Sequence, residues 1–447
     1  MSSGMNMSTD AGNIFKKASL YKGVHKQIRQ KVSHTIDMPS SLSSVITSDC
    51  VNEADPESVG MTREGVEAIW KSVEDIYSTA LYPGVSISMR RRGKVILDRA
   101  IGHAVGNGPD AQEGDARVLM RPNTPVCLFS ASKAVTAFLM HLLSEDKLVH
   151  LHDPISFYAP EFGKNGKKNV TIHEVLSHRA GVPGLPKGVP PEVLWDNDEI
   201  WRILCETKPQ SSKGNRLAYH ALTGGYILER VVRQVTGKSI QDFLDERVRK
   251  PMGMKYFRYG VEERYADRVA DNHATGVRPF YPISALIERA LGGSLDMVEG
   301  VTNDPRFKKA VIPAGNIMGT AEEIGRFFQM LLNNGVWEGN RVCHPMTVKR
   351  FTQEYSSIQF DQTLMLPMRY SAGLMLGGEP FGMWGKHSAQ SFGHIGLINK
   401  LCWADPVRDV SVSLLTTGIP IVANNIPTLF RFMNKIDKHC PKGATVK

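Results

Sequence analysis

The strongest constraint on this chain is that two stretches of period-two alternation flank a long region of period 3.6. After Pro83-Gly84, Val85, Ile87 and Met89 alternate with polar residues; Arg92-Gly93-Lys94 reads as a turn, and Val95 and Leu97 resume the alternation. That pattern predicts a β-hairpin, with the Arg90-Arg91-Arg92 run at its solvated tip. Before it, Thr62 can cap a helix in which Val66, Ile69, Trp70, Val73, Ile76 and Tyr77 share one face. From about 131 to 300 helical spacing dominates, with helices predicted near 131–143, 173–177, 192–207, 221–235 and 240–248. Another is expected over 321–333. Strand alternation then returns after about 370 in Leu401, Trp403, Val410, Val412 and Leu414, before a last helix near 426–439. Strand-forming segments at both ends share one sheet when a helical region is inserted between them. The expected fold class is therefore α/β (α+β), an antiparallel sheet flanked by helices plus an inserted, mainly helical region.

At 447 residues the chain is long for a single core. The division expected is a polar, basic, loosely docked extension over 1–55 with a weak helix near 13–32, then one domain over 56–440. Within that domain the α/β part covers about 56–130 and 310–440, and the helical part about 131–309. The formal charge of +9 is concentrated at the ends: residues 1–48 and 425–447 each carry +4, leaving +1 for the long middle. A nucleic-acid footprint needs a basic patch on one face together with a recognisable motif, so no nucleic-acid partner is expected. No apolar run reaches the roughly 20 residues of a membrane span. Ser2, Ser3, Asn6 and Ser8 interrupt any secretory leader, which gives a cytoplasmic expectation. The six cysteines are widely spaced without a C-x-x-C pair, and His150 and His152 lack a third ligand at metal-site spacing. No metal and no organic cofactor are expected, and no oligomeric state is implied.

Three segments match S-x-x-K: Ser19/Lys22, Ser130/Lys133 and Ser144/Lys147. Only Ser130 lies where an apolar extended stretch (Val126, Leu128, Phe129) meets a strong amphipathic helix (Ala134, Val135, Phe138, Leu139, Leu142, Leu143). Free backbone N–H groups and the positive dipole end favour a developing anion there. One turn later Lys133 returns to the same face, where a desolvated amine can take the serine proton.

Four segments carry a resemblance. They are Phe129-Ser130-Ala131-Ser132-Lys133, Leu176-Ser177-His178-Arg179-Ala180-Gly181-Val182-Pro183-Gly184, Tyr219-His220-Ala221-Leu222-Thr223-Gly224-Gly225-Tyr226 and Phe392-Gly393-His394-Ile395-Gly396. In this order and spacing the chain, from about Asp55 to Gly418, resembles the class C β-lactamase-like, penicillin-binding-protein-like serine hydrolases. Within them it is most similar to the carboxylesterases of the family VIII type. The resemblance implies a β-lactamase/transpeptidase-like fold, Ser130 as nucleophile, and Lys133 with Tyr219 as the acid/base pair. The Lys133 cation would ease ionisation of the phenol. It places His394 and Gly396 in the third motif on an edge strand, with His394 orienting Tyr219 or polarising substrate, and Gly396 admitting substrate to the backbone. The amide of Leu397 would pair with that of Ser130 as an oxyanion hole. Ala221 replaces the asparagine of the β-lactamase Y-x-N, and His394-Ile395 replaces Lys-Thr, so polar handles for a β-lactam are lost. A small-molecule carboxylic ester is the expected substrate. Rival readings are β-lactamase or D-amino-acid peptidase chemistry, acyl transfer, and a filament-forming or binding protein on the same fold. The acyl pocket is expected beside 370–384 or Phe280-Tyr281, with a loop-like lid over 292–309.

Overall fold

The computed structural model of the protein describes residues 33–49, 51–186, 188–210, 216–278, 281, 284, 288, 293–397, 399–420 and 425–443. Its main sheet contains β1 (Ile46–Ser48), β2 (Gly84–Arg91), β3 (Lys94–Val105), β4 (Val118–Leu119), β5 (Met375–Leu376), β6 (Phe392–Gly396), β7 (Lys400–Asp405) and β8 (Val410–Thr416). The spatial order is β1-β3-β2-β8-β7-β6-β5, with β4 paired to β3, and the neighbours run antiparallel. The first and last thirds of the chain therefore meet where β2 pairs with β8, Ile87 opposite Leu414.

Period-two alternation decides which side each residue packs on. Val85, Ile87, Met89, Val412 and Leu414 lie in one core with residues of α1 (Arg63–Tyr77) and α5 (Ile426–His439), among them Ile69, Val73, Phe432 and Ile436. Thr62 caps α1 by accepting the Gly65 N–H. The second core holds Ala100, Ala404 and Leu415, with Phe138 from α2 (Ser132–Glu145) and Ile324 and Phe327 from α4 (Ala321–Leu332). It continues into the helical region, where α3 (Thr223–Thr236) buries Ile227, Val231 and Val232. Each fully buried side chain of this size contributes about 1.5–3 kcal/mol. A small sheet ties the two regions together: Ile317–Gly319 pairs with Val126–Cys127 on one side and Arg258–Tyr259 on the other.

The structure corrects several expectations. Arg90 and Arg91 are buried rather than solvated. Arg90 pairs with Glu322 of α4, and Arg91 donates to the Arg408 and Pro441 carbonyls and to Cys440 Sγ. Only Arg92, with φ 49° beside Gly93 at φ 80°, forms the tip of the hairpin. Residues 33–48, expected in a loose extension, are part of the fold, because Ile36 and Val45 bury and β1 pairs with β3. The weak helix near 13–32 lies outside the described residues. The single helix expected near 192–207 is a 3-10 turn, Pro191–Trp195, followed by a helix, Asn197–Glu206, capped by Asp196. The five described cysteines are free and buried. No helix among the described residues is long and apolar enough to cross a membrane.

Candidate active site

Ser130 sits in the 3-10 turn Phe129–Ala131 that leads into α2. Phe129 is held at φ 48°, a left-handed conformation that costs an aromatic residue on the order of 1–3 kcal/mol. Ile317 fixes the turn from both sides. Its carbonyl accepts the Leu128 N–H at 2.8 Å, and its own N–H donates to Ser132 Oγ at 2.9 Å. The second serine of Ser130-Ala131-Ser132-Lys133 is thus a structural ligand of the neighbouring strand.

One turn into the helix, Lys133 Nζ lies 3.1 Å from Ser130 Oγ and donates to the Ala314 carbonyl at 2.9 Å. Gly225 on α3 makes this arrangement possible, since a Cβ there would stand 2.4 Å from the Ala314 nitrogen. Lys133 is nearly buried, and burial pushes its ammonium down to about 7. Its Nζ lies 5.0 Å from the centre of the Tyr219 ring.

Tyr219 is buried, and its hydroxyl makes no well-aligned hydrogen bond among the described residues. Burial pushes its phenol well above the ordinary tyrosine range. The Ser130 hydroxyl beside it pulls the other way, and the Asp361 carboxylate adds to the rise. This corrects the expectation that the Lys133 cation makes Tyr219 easier to ionise. Burial dominates both groups, favouring a neutral amine and a neutral phenol.

His394, on β6, is buried with its ring 6.2 Å from that of Tyr219. Its Nδ1 donates to the Ile395 carbonyl at 2.7 Å, leaving Nε2 as the acceptor. Burial and then the Lys133 charge hold it down to about 3, so it is a neutral imidazole that does not bond the Tyr219 hydroxyl. At Gly396 the protein itself comes close: a Cβ would lie 2.0 Å from the Leu128 carbonyl oxygen. Leu397 follows at φ 28° and, with Ser130, lines a cavity of about 920 Å³.

The cavity wall is chiefly apolar, including Leu185, Val189, Leu194, Met297, Val301 and Phe307. Residues 293–309 do line it, but as two short helices, Leu295–Asn303 and Pro305–Lys309, capped by Ser294 and Asp304 rather than as a loop. Gly292 and Phe280 lie outside the described residues, and Tyr281 is exposed and not on the wall. The 370–384 stretch packs elsewhere: Tyr370 lies 5.1 Å from the His178 ring, and Trp384 stacks on Trp403. Sequence reasoning missed the proline-rich wall from Pro183 to Pro191, Asp361 and the Ala314 carbonyl. The wall had a readable signal in its four prolines within nine residues, which mark a loop.

The sequence profile described as Beta-lactamase matches residues 73–422. The chain is 29% identical over 299 residues to the esterase/beta-lactamase LipL of Mycobacterium tuberculosis, a match covering 64% of this chain and 68% of that protein. Among solved structures it is similar to a penicillin-binding protein homologue from Caulobacter crescentus, at TM-score 0.73 and 25% identity over 85% of this chain and 99% of that one. It is also similar in fold to a family VIII carboxylesterase, at TM-score 0.72 and 24% identity, covering 85% and 98%. The strands-helices-strands order and the shared antiparallel sheet agree with these likenesses: the chain belongs to the beta-lactamase family.

Proposed function

We propose that the protein is a serine hydrolase that cleaves carboxylic esters with an apolar acyl group through a Ser130 acyl-enzyme. The observation that carries this reading is the 3.1 Å contact between Lys133 Nζ and Ser130 Oγ at the wall of a large apolar cavity. An amine brought down to about 7 by burial is largely uncharged just above neutral pH and can accept the serine proton. Ser130 Oγ then adds to the ester carbonyl. The oxyanion is held by the Ser130 and Leu397 amides. As the C–O bond breaks, the leaving alkoxide takes the Tyr219 proton, and the Lys133 ammonium beside that ring restores it. Water, losing its proton to neutral Lys133, adds to the acyl-enzyme; as the bond from the acyl carbon to Ser130 Oγ breaks, the Lys133 ammonium returns that proton to Ser130 and the acid is freed. His394 remains neutral and packs beside Tyr219.

The choice of ester over β-lactam rests on the cavity wall. Among the described residues the wall offers no lysine or arginine to a β-lactam carboxylate, whereas its aliphatic and proline groups suit an apolar acyl chain. The relative named esterase/beta-lactamase is in keeping with either substrate. Glu288 is the one ionic side chain on the described wall, and it favours a second reading in which an amide bearing an ammonium group is bound.

The test is turnover of p-nitrophenyl acetate, butyrate and octanoate, a chromogenic cephalosporin and a D-amino-acid amide by the purified protein. We expect kcat/KM to rise with acyl length and to exceed that for the cephalosporin by about 100-fold or more, the size of effect expected from leaving a carboxylate unpaired. Cephalosporin turnover equal to ester turnover would overturn the preference, and faster amide turnover would promote the Glu288 reading.

A further inference from the structure

A proton donor must be held as firmly as the nucleophile it serves, and Tyr219 lies in a segment before α3, outside any regular element. Its backbone N–H and those of both neighbours are nevertheless engaged. The Ala218 N–H donates to the His178 carbonyl at 3.0 Å, and the His220 N–H donates to His178 Nδ1 at 3.2 Å. Between them the Tyr219 N–H donates to Asp361 Oδ1 at 3.1 Å. One histidine therefore grips both flanks of Tyr219, and one carboxylate grips its centre.

Each gripping residue is itself anchored. Asp361 is completely buried and forms no ion pair among the described residues. Its Oδ1 also accepts the Thr363 and Leu364 N–H groups at 2.9 and 3.0 Å, and its Oδ2 accepts the Tyr370 hydroxyl at 3.3 Å. The Gln362 N–H returns to the Leu217 carbonyl at 3.0 Å, and Gln362 and Thr363 line the cavity. His178 is buried at φ 61°, a conformation few non-glycine residues adopt, and its ring packs 4.6 Å from that of Tyr219. Because Nδ1 accepts a hydrogen bond, the imidazole is neutral with its proton on Nε2. Burial and the surrounding charges hold His178 well below its ordinary range, in keeping with that tautomer.

We infer that Asp361 and His178 are positioning residues that act through Tyr219, fixing its hydroxyl against Ser130 by hydrogen-bonding the three consecutive amides of residues 218–220. The inference rests on the proton-donor role of Tyr219 proposed above. A buried carboxylate with no cation partner is costly, and here its charge is met by backbone amides. Its negative charge also opposes ionisation of Tyr219, which keeps the phenol a donor.

The experiment measures kcat and KM for ethyl butyrate, whose alkoxide leaving group needs a proton, in wild type, Tyr219→Phe, Asp361→Ala, Asp361→Asn and the double variant Tyr219→Phe/Asp361→Ala. His178→Gly and His178→Asn run in parallel. Glycine removes the acceptor without straining the positive φ, whereas asparagine tolerates that φ and offers Oδ1 in place of Nδ1. We expect Tyr219→Phe, Asp361→Ala and His178→Gly each to lower kcat about 100-fold, the range of a lost general acid, with KM changed by less than about threefold. The two asparagine variants should recover most of that loss. The double variant should be no slower than the slower single one, because the carboxylate acts only through the phenol. Losses that multiply in the double variant, or asparagine variants as slow as alanine and glycine, would overturn the inference. So would wild-type kcat in Asp361→Ala and His178→Gly while Tyr219→Phe is slow, a result that leaves the proposed mechanism standing. Wild-type kcat in Tyr219→Phe would instead remove the donor role, and with it the inference. Should Asp361→Ala fail to fold, the His178 pair carries the same test.

Discussion

Lys133 can accept a proton from Ser130 only when it is uncharged, and what discharges it is burial, with no cationic neighbour among the causes. The folded-state pKa near 7 sets the sign of the pH dependence: below it the amine is protonated and idle, above it the amine is free. For a p-nitrophenyl ester, kcat/KM should fall about tenfold per pH unit on the acid side of a midpoint close to 7. A midpoint near 10 would show an ordinary solvated lysine and remove the base role. Lys133→Ala should lower kcat on the order of 10³-fold, measured at the pH optimum. These residues were legible in the sequence because Ser130 and Lys133 are one helical turn apart and Tyr219 and His394 lie in short motifs. Their partners were not. The Ala314 carbonyl that holds Lys133 and the Asp361 carboxylate that holds Tyr219 come from 181 and 142 positions away. No local spacing carries such contacts.

At the level of elements, the site depends on backbones approaching more closely than side chains allow. α3 reaches the Ala314 segment only because Gly225 has no Cβ, and β6 reaches the Ser130 turn only because Gly396 has none. Gly225→Ala should therefore cost about 1–3 kcal/mol in urea unfolding and lower kcat as well, since the displaced atom neighbours the carbonyl that orients Lys133. Unchanged stability and kcat would show that the helix yields without disturbing the site. Elements with strong periodicity and a cap, such as α1, α4 and the β2–β3 hairpin, were readable before the structure was known. The cavity wall was not, because its proline-rich segment and two short helices have no sustained period. The arginine run at the hairpin tip was misjudged because charge alone does not reveal that Glu322 and three acceptors await it across the fold.

The main sheet is built from both ends of the described chain, with the site at the boundary between that sheet and the helices inserted between its strands. Its outline followed from the order of the periods, which local propensity and packing both support. The edge strand β1 escaped notice because three residues are too few to show alternation, yet Ile36 and Val45 bury around it. Truncation after residue 48, compared with truncation after residue 32, should thus lower stability by about 3–6 kcal/mol through these two side chains, visible as a drop in Tm. Equal Tm values would show that the edge strand is dispensable. Ser130 is where sheet, helix and cavity meet, and the hydrolase reading rests on it. The most direct measurement is intact-mass and peptide mapping after treatment with a fluorophosphonate, alongside ester turnover, for wild type and Ser130→Ala. One adduct on Ser130 in wild type, with no adduct and no turnover in the variant, is the predicted result; undiminished turnover by Ser130→Ala would contradict it.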